Sequence, residues 1–398
     1  MQPLGRRTVL AAFLASAAAA GPQAAPAFAA PAAARRKAGP DAAALRAALA
    51  GLPGSDATAA LVRVGGFDGR WRGSAGVHDL VHGRAADPDA LFRAGSTTKV
   101  VTAATVLRLA AEGRVDPDAP IQHYLPHLLT PAFEPISVRQ LLNHTSGIQP
   151  GDGWGDDFED QYAHRFDTLT PARVVASAVA KGPGFRPGRR QEYLNINYTI
   201  LGMLIEKLTR RSYAREATRL VLRPAGMRHT YFPGADPHIH GPHNHGYQLV
   251  KRPDGTTRCV DVTDWNQSDR WAAGDMISTT ADLERLITAL FRGRIVPEPQ
   301  VREMFTLPPG IDDASYSAGL QRFVYDDTVY WLKSGARYGY STAVAATRDL
   351  GRTLVYSVNS TDAKGTSMNP VAERIAMAAL RRSAGQPCGV QGGVAMGE

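Results

Sequence analysis

Residues 96–112 constrain this chain more than any other segment. Val100, Val101, Ala103, Ala104, Val106, Leu107, Leu109 and Ala110 leave a helix over 96–112 almost without a polar face. A helix that is apolar on nearly every side has to lie in the middle of a folded domain. Gly113 ends it, in the position where a left-handed residue costs glycine least. A chain of 398 residues that is 44% hydrophobic has enough apolar material to surround such a helix.

The other periodicities say what the surroundings are. A helix over 42–52 and paired strands over 59–64 and 69–77 come first. From about 120 to 275 the pattern is helical pieces joined by Pro/Gly/His-rich loops, clearest over 138–142, 171–180 and 198–208. An amphipathic helix over 281–291 follows, then strand patterns over 316–324, 329–333, 342–347 and 353–359, and a closing helix over 371–382. Strands at both ends of the chain thus flank a helical middle. That order predicts an α+β fold in which one antiparallel sheet is assembled from distant segments, with a helical insertion beside it. The expected boundaries are a sheet lobe over about 41–120 and 276–384 and a helical lobe over about 121–275.

The ends read differently. Arg6-Arg7, an apolar run over 9–20 and the small-residue site Ala27-Phe28-Ala29 form an export signal over 1–29, by the twin-arginine or the ordinary route. The run is too short to span a bilayer. A linker over 30–40 follows, and 385–398 has the composition of a disordered tail. Cys259 and Cys388 are the only cysteines, so a disulfide is permitted but not implied, and C-x-x-C patterns are absent. The mature protein is expected outside the cytoplasm, with no membrane span.

Basic residues outnumber acidic ones by 45 to 37, yet no long Lys/Arg run or aromatic–basic alternation suggests a grip on nucleic acid. A solvated basic surface is the simpler reading, with a bias toward anionic partners such as a cell envelope or a carboxylate-bearing substrate.

Three short segments carry chemistry. In Ser96-Thr97-Thr98-Lys99, positions i and i+3 share a helix face, so Lys99 reaches the Ser96 hydroxyl. The helix N-terminus favours charge developing on that oxygen. A serine becomes a nucleophile only beside a base, and a lysine serves as base only where burial or nearby cations lower its pKa. Only seven of the 45 basic residues are lysine. Arginine does not deprotonate, so lysine stands where a base is needed. Alone, the segment reads equally well as a serine capping a helix ahead of a solvated lysine.

The second segment is Tyr193-Leu194-Asn195, where a phenol can pass a proton from Ser96 to a leaving group and an amide can hold a substrate amide. The third is Lys333-Ser334-Gly335 followed by Ala336. A strand edge there can pair with an extended peptide, Ser334 can bind its carboxylate, and Lys333 can orient Tyr193. Gly335 leaves room for close approach, and the backbone N–H groups of Ser96 and Ala336 would form an oxyanion hole, about 3 kcal/mol per donor. Singly, these also read as a loop tyrosine with a helix-capping Asn and as a strand end leading into a turn.

Together the three resemble the serine β-lactamase and penicillin-binding family, in particular its branch of class C β-lactamases and secreted D-alanyl-D-alanine carboxypeptidases. The resemblance runs from about Phe92 to Asn359. It includes Phe92-Arg93-Ala94-Gly95 before Ser96, Gln140-Leu141-Leu142-Asn143-His144-Thr145-Ser146-Gly147, Phe185-Arg186-Pro187-Gly188, and Ala273-Gly274 with Ser278-Thr279. Leu194 and Ser334 depart from the usual boxes, and Ser334 keeps the hydroxyl. The resemblance implies a β-lactamase/transpeptidase-like fold with the site between the sheet and an all-helical lobe. It implies a monomeric D,D-carboxypeptidase or transpeptidase acting on D-Ala-D-Ala-terminated or peptidoglycan stem peptides through a Ser96 acyl-enzyme. β-Lactams are then inhibitors or substrates, and no cofactor or metal is needed. A class C-like β-lactamase, an esterase or D-amino-acid amidase, and a non-catalytic penicillin sensor are the alternatives.

Three further readings complete the expectations. His229, His238, His240, His243 and His245 lack regular spacing and carboxylate partners, which favours a polar loop over a metal site. His144 is placed in a structural turn. Trp271 and Arg322 are placed in the substrate cleft, as an aromatic wall and a carboxylate anchor.

Overall fold

The computed structural model describes residues 39–252, 254–365 and 367–380; the segments expected to be an export signal and a tail, most of the expected linker, and Cys388 lie outside the described residues. In chain order its strands are β1 Ala57–Gly65, β2 Trp71–Gly76, β3 Phe92–Arg93, β4 Tyr247–Lys251, β5 Thr257–Asp261, β6 Ile277–Ser278, β7 Gln321–Tyr325, β8 Thr328–Arg337, β9 Tyr340–Thr347 and β10 Thr353–Ser360. Six of them form one sheet, in the order β2-β1-β10-β9-β8-β7, with antiparallel pairing throughout.

The last strand, β10, sits inside the sheet between the first strand and β9, and every one of its positions is buried. Alternation explains how. Leu354, Tyr356 and Val358 pack with the two terminal helices, Ala42–Ala48 and Pro370–Leu380, while Val355 faces the larger core on the other side. That larger core holds the helix Thr98–Ala111, whose residues from Thr98 to Leu107 are all buried. Its buried threonines are satisfied: Thr105 donates within the helix to the Val101 carbonyl, and Thr102 across the core to that of Ala272.

Phe92 pairs with Ser278 and Arg93 with Ile277. The chain therefore leaves the neighbourhood of the sheet and comes back at one place, with residues 94–276 in between. Most of that excursion is helical, but it also carries the β4–β5 hairpin, in which Leu249 pairs with Cys259. The expectation of helices and loops alone over 120–275 is corrected there. Two boundaries also move: β7 starts at Gln321 rather than 316, and residues Gly95–Thr97 form a tight 3₁₀ turn ahead of the α-helix. Among the described residues no helix is long and apolar enough to cross a membrane.

Candidate active site

The turn before the central helix fixes Ser96. Gly95 has φ +52°, and a Cβ there would sit 2.7 Å from the Ala336 nitrogen. Across the contact, a Cβ on Gly335 would lie 2.1 Å from the Ala94 oxygen and 2.9 Å from the Ser96 nitrogen. Both glycines are thus required for backbone-to-backbone contact between the turn and β8. Thr342, opposite Gly335 on β9, donates to the Ala94 oxygen at 2.8 Å and holds the two together. The Ser96 and Ala336 amides are brought side by side, as an oxyanion hole requires.

Lys99 is fully buried beneath Ser96. Its Nζ donates to Ser96 Oγ at 3.1 Å, to Asn195 Oδ1 at 2.7 Å and to the Ala273 carbonyl at 2.7 Å. Burial pushes its pKa down to about 8, Tyr193 opposes the shift, and the nearby Lys333 adds to it. Burial alone pushes Lys333 down to about 7. Both amines lie over the Tyr193 ring, at 5.0 Å for Lys99 and 4.6 Å for Lys333. The Tyr193 hydroxyl is itself buried and has no partner in hydrogen-bonding geometry. A buried, unused hydroxyl between two amines and beside a serine is the kind of exception that functional sites contain.

One pH dependence follows. The amine accepts a proton only when neutral, so acylation of Ser96 by a chromogenic ester should rise with pH and level off above about 8, falling roughly tenfold per unit well below it. A rate that keeps climbing past pH 10 would remove Lys99 from the role of base.

Three groups hold Tyr193 in place, and two of them, Gln191 and Tyr316, were passed over by sequence reasoning. Gln191 spends its whole amide on backbone: Nε2 donates to the carbonyls of Asn143 and Tyr316, both at 2.7 Å, and Oε1 accepts from the N–H groups of Ser315 and Tyr316. Tyr316 and His144 then pack on the Tyr193 ring, at centroid distances of 4.9 and 4.6 Å. His144, at φ +64°, accepts on Nδ1 from the Leu194 N–H. Burial, with Lys99 and Lys333 close by, drives its pKa well down and keeps it neutral. The turn expected at His144 is present, and it supports the tyrosine.

A cleft of about 500 Å³ opens over these groups, lined by Ser96, Tyr193, Asn195, Lys333, Ser334, Gly335 and Ala336, with Tyr316, Asp362 and Lys364 around them. Lys364 was not singled out by sequence; its ammonium donates to the Ala336 carbonyl at 2.9 Å. Two expected members are absent from the lining. Trp271 packs edge-on against Tyr213 at 5.5 Å, and its indole fills the space beside Gly202, because the Trp271–Ala273 turn supports Lys99 from behind. Arg322 is exposed on the edge strand β7. Among the histidines, His238, His240 and His245 do have carboxylate partners, in Asp264, Asp236 and Asp261. No group of three or more His, Cys, Asp or Glu that could hold a metal ion occurs among the described residues.

The Beta-lactamase family profile matches residues 29–377. The chain belongs to the Beta-lactamase family. As a serine hydrolase of the Beta-lactamase and penicillin-binding group, it is similar to a D-stereospecific amidohydrolase from Streptomyces sp., with 32% identity and a TM-score of 0.74 over 87% of this chain and 100% of that one. Among curated relatives it is similar to Protein flp of Staphylococcus aureus, 32% identical over 53% of this chain and 41% of that protein. It is also similar to the putative penicillin-binding protein PbpX of Bacillus subtilis, 26% identical over 61% and 56% respectively. The chain therefore spans about half the length of the curated relatives it matches.

Proposed function

We propose that the protein is a serine D,D-carboxypeptidase, cleaving peptides that end in D-Ala-D-Ala through an acyl-enzyme on Ser96. The observation that carries the reading is the pair of amines at one end of the cleft, which a substrate carboxylate would hold in the charged form. Lys333 and Lys364 line that end together with the Ser334 hydroxyl, beside the β8 edge, where the terminal carboxylate of an extended peptide would lie.

The chemistry runs as follows. Ser96 Oγ adds to the scissile carbonyl as neutral Lys99 takes its proton, and the Ser96 and Ala336 N–H groups hold the oxyanion. Asn195 is fixed by Lys99 through Oδ1, which leaves its Nδ2 to face the substrate amide. The Tyr193 hydroxyl delivers a proton to the departing D-alanine nitrogen as the C–N bond breaks. Water then reverses the steps on the ester and releases the shortened peptide.

Incubation with diacetyl-Lys-D-Ala-D-Ala should release free D-alanine, and penicillin should leave a covalent adduct on Ser96 visible in the intact mass. No D-alanine alongside rapid hydrolysis of an ester or a β-lactam would overturn the carboxypeptidase reading.

A second reading is hydrolysis of D-amino-acid amides, favoured by the likeness to the D-stereospecific amidohydrolase over that chain's full length. The exposed Asp362 in the same cleft could take a free substrate ammonium. Ammonia release from D-phenylalanine amide, faster than D-alanine release from the peptide, would decide for it. We further propose export with cleavage before Ala30, motivated by the signal over 1–29; N-terminal sequencing of protein recovered from the medium checks it, and an uncleaved cytoplasmic product would refute it.

A further inference from the structure

The basic excess is concentrated rather than spread, and much of it lies away from the Ser96 cleft. Arg211, Arg215, Arg219 and Arg223 recur every four residues. Arg211 stands just before a helical stretch that bears the other three and changes from α over Tyr213–Ala217 to π over Thr218–Leu222 and back to α over Arg223–Ala225. The wider π turn keeps a four-residue spacing on one face, where a pure α-helix of 3.6 residues per turn would let it drift. The four arginines line a pocket of about 390 Å³ together with Tyr231 and Phe232.

A second pocket, of about 330 Å³, begins on the other side of the same helix end. Arg223 lines the first pocket, and Pro224 and Ala225 line the second with Arg70, Arg285, Arg292 and Arg294. Phe67 lies there, 73% exposed, beneath the Arg292 guanidinium. Among the described residues four carboxylates stand near these eight arginines, one of them Glu112, which pairs with Arg108 and lies close enough to act on Arg219. Glu216 is buried between Arg211 and Arg219, Asp282 is buried against Arg285, and Glu284 faces Arg63. Among the described residues, Arg215, Arg223, Arg70, Arg292 and Arg294 have no ion-pair partner.

We propose that this band binds a linear polymer of phosphodiesters. Every cation in it is arginine, whose planar fork matches phosphate oxygens in pairs, and none is lysine. Two concave pockets separated by one helix end suit successive phosphates on a strand, whereas a flat bilayer would touch only the rim. The aromatic rings in each pocket give the apolar links between phosphates a surface to rest on.

The test uses the purified protein and a soluble poly(glycerol phosphate), whose phosphates are diesters joined by short carbon links, at 0.15 M salt, followed by calorimetry. Arg215→Glu/Arg223→Glu should weaken binding about tenfold or more, since two screened surface contacts are lost and reversed. Arg46→Glu/Arg322→Glu makes the same change in net charge at exposed sites outside the band and should change binding less than about twofold. Hydrolysis of a chromogenic ester, unchanged in both variants, confirms that they fold. Equal weakening in the two double variants would reduce the effect to net charge and overturn the proposal. So would binding to phosphatidylglycerol vesicles in preference to the polymer.

Discussion

Replacing Lys99 by arginine is expected to lower the rate of Ser96 acylation by about 10⁴-fold, although the positive charge is kept. The fully buried amine contacts Ser96, Asn195 and the Ala273 carbonyl at once, and burial is what brings its pKa down to about 8. A guanidinium does not give up its proton at any working pH. It can fill the place of the ammonium but not of the amine. Lys99→Gln, which offers a donor to Ala273 and no basic nitrogen, should lose as much. Single-turnover acylation with a labelled penicillin measures both, with circular dichroism to establish that the fold is intact. Acylation by the arginine variant within tenfold of wild type would mean that another group takes the proton.

Tyr193→Phe is the second large effect, a loss of about 10² to 10³ in kcat for a peptide substrate. The ring contacts to Lys99, Lys333, His144 and Tyr316 survive the change, so the melting temperature should hold to within a few degrees. Only the buried, unpartnered hydroxyl is lost. The loss should shrink for an ester with a good leaving group, because a phenolate-type leaving group needs no proton from the enzyme. An equal loss on both substrates would place Tyr193 in structure rather than in proton delivery.

How far these residues could be read from sequence depends on how local their contacts are. Ser96 and Lys99 are three residues apart on one helix, and the geometry follows from spacing alone. The burial that turns Lys99 into a base was legible too, in the apolar residues that follow it. The sheet strands β8, β9 and β10 announced themselves through alternation and β-branched residues. The β4–β5 hairpin did not, because Thr257-Arg258-Cys259-Val260-Asp261 is mostly exposed and lacks an apolar stripe.

Gln191 and Lys364 escaped for a different reason. Each acts on a segment more than 25 residues away, on Tyr316 and Ala336 respectively, and no local pattern encodes such a contact. Trp271 and Arg322 were placed wrongly because a large ring and a guanidinium suit a core, a surface and a cleft alike. Only packing chose between them.

The place of β10 in the sheet has a consequence for biosynthesis. The strand that joins the first part of the sheet to β9 is made long after Ser96, and β1 waits for it across nearly 300 residues. Until that strand is inserted, the sheet is two unjoined halves. A nascent chain that carries Ser96, Lys99 and Lys333 but not yet β10 is expected to lack the assembled site, with activity beginning only after β10 has been made.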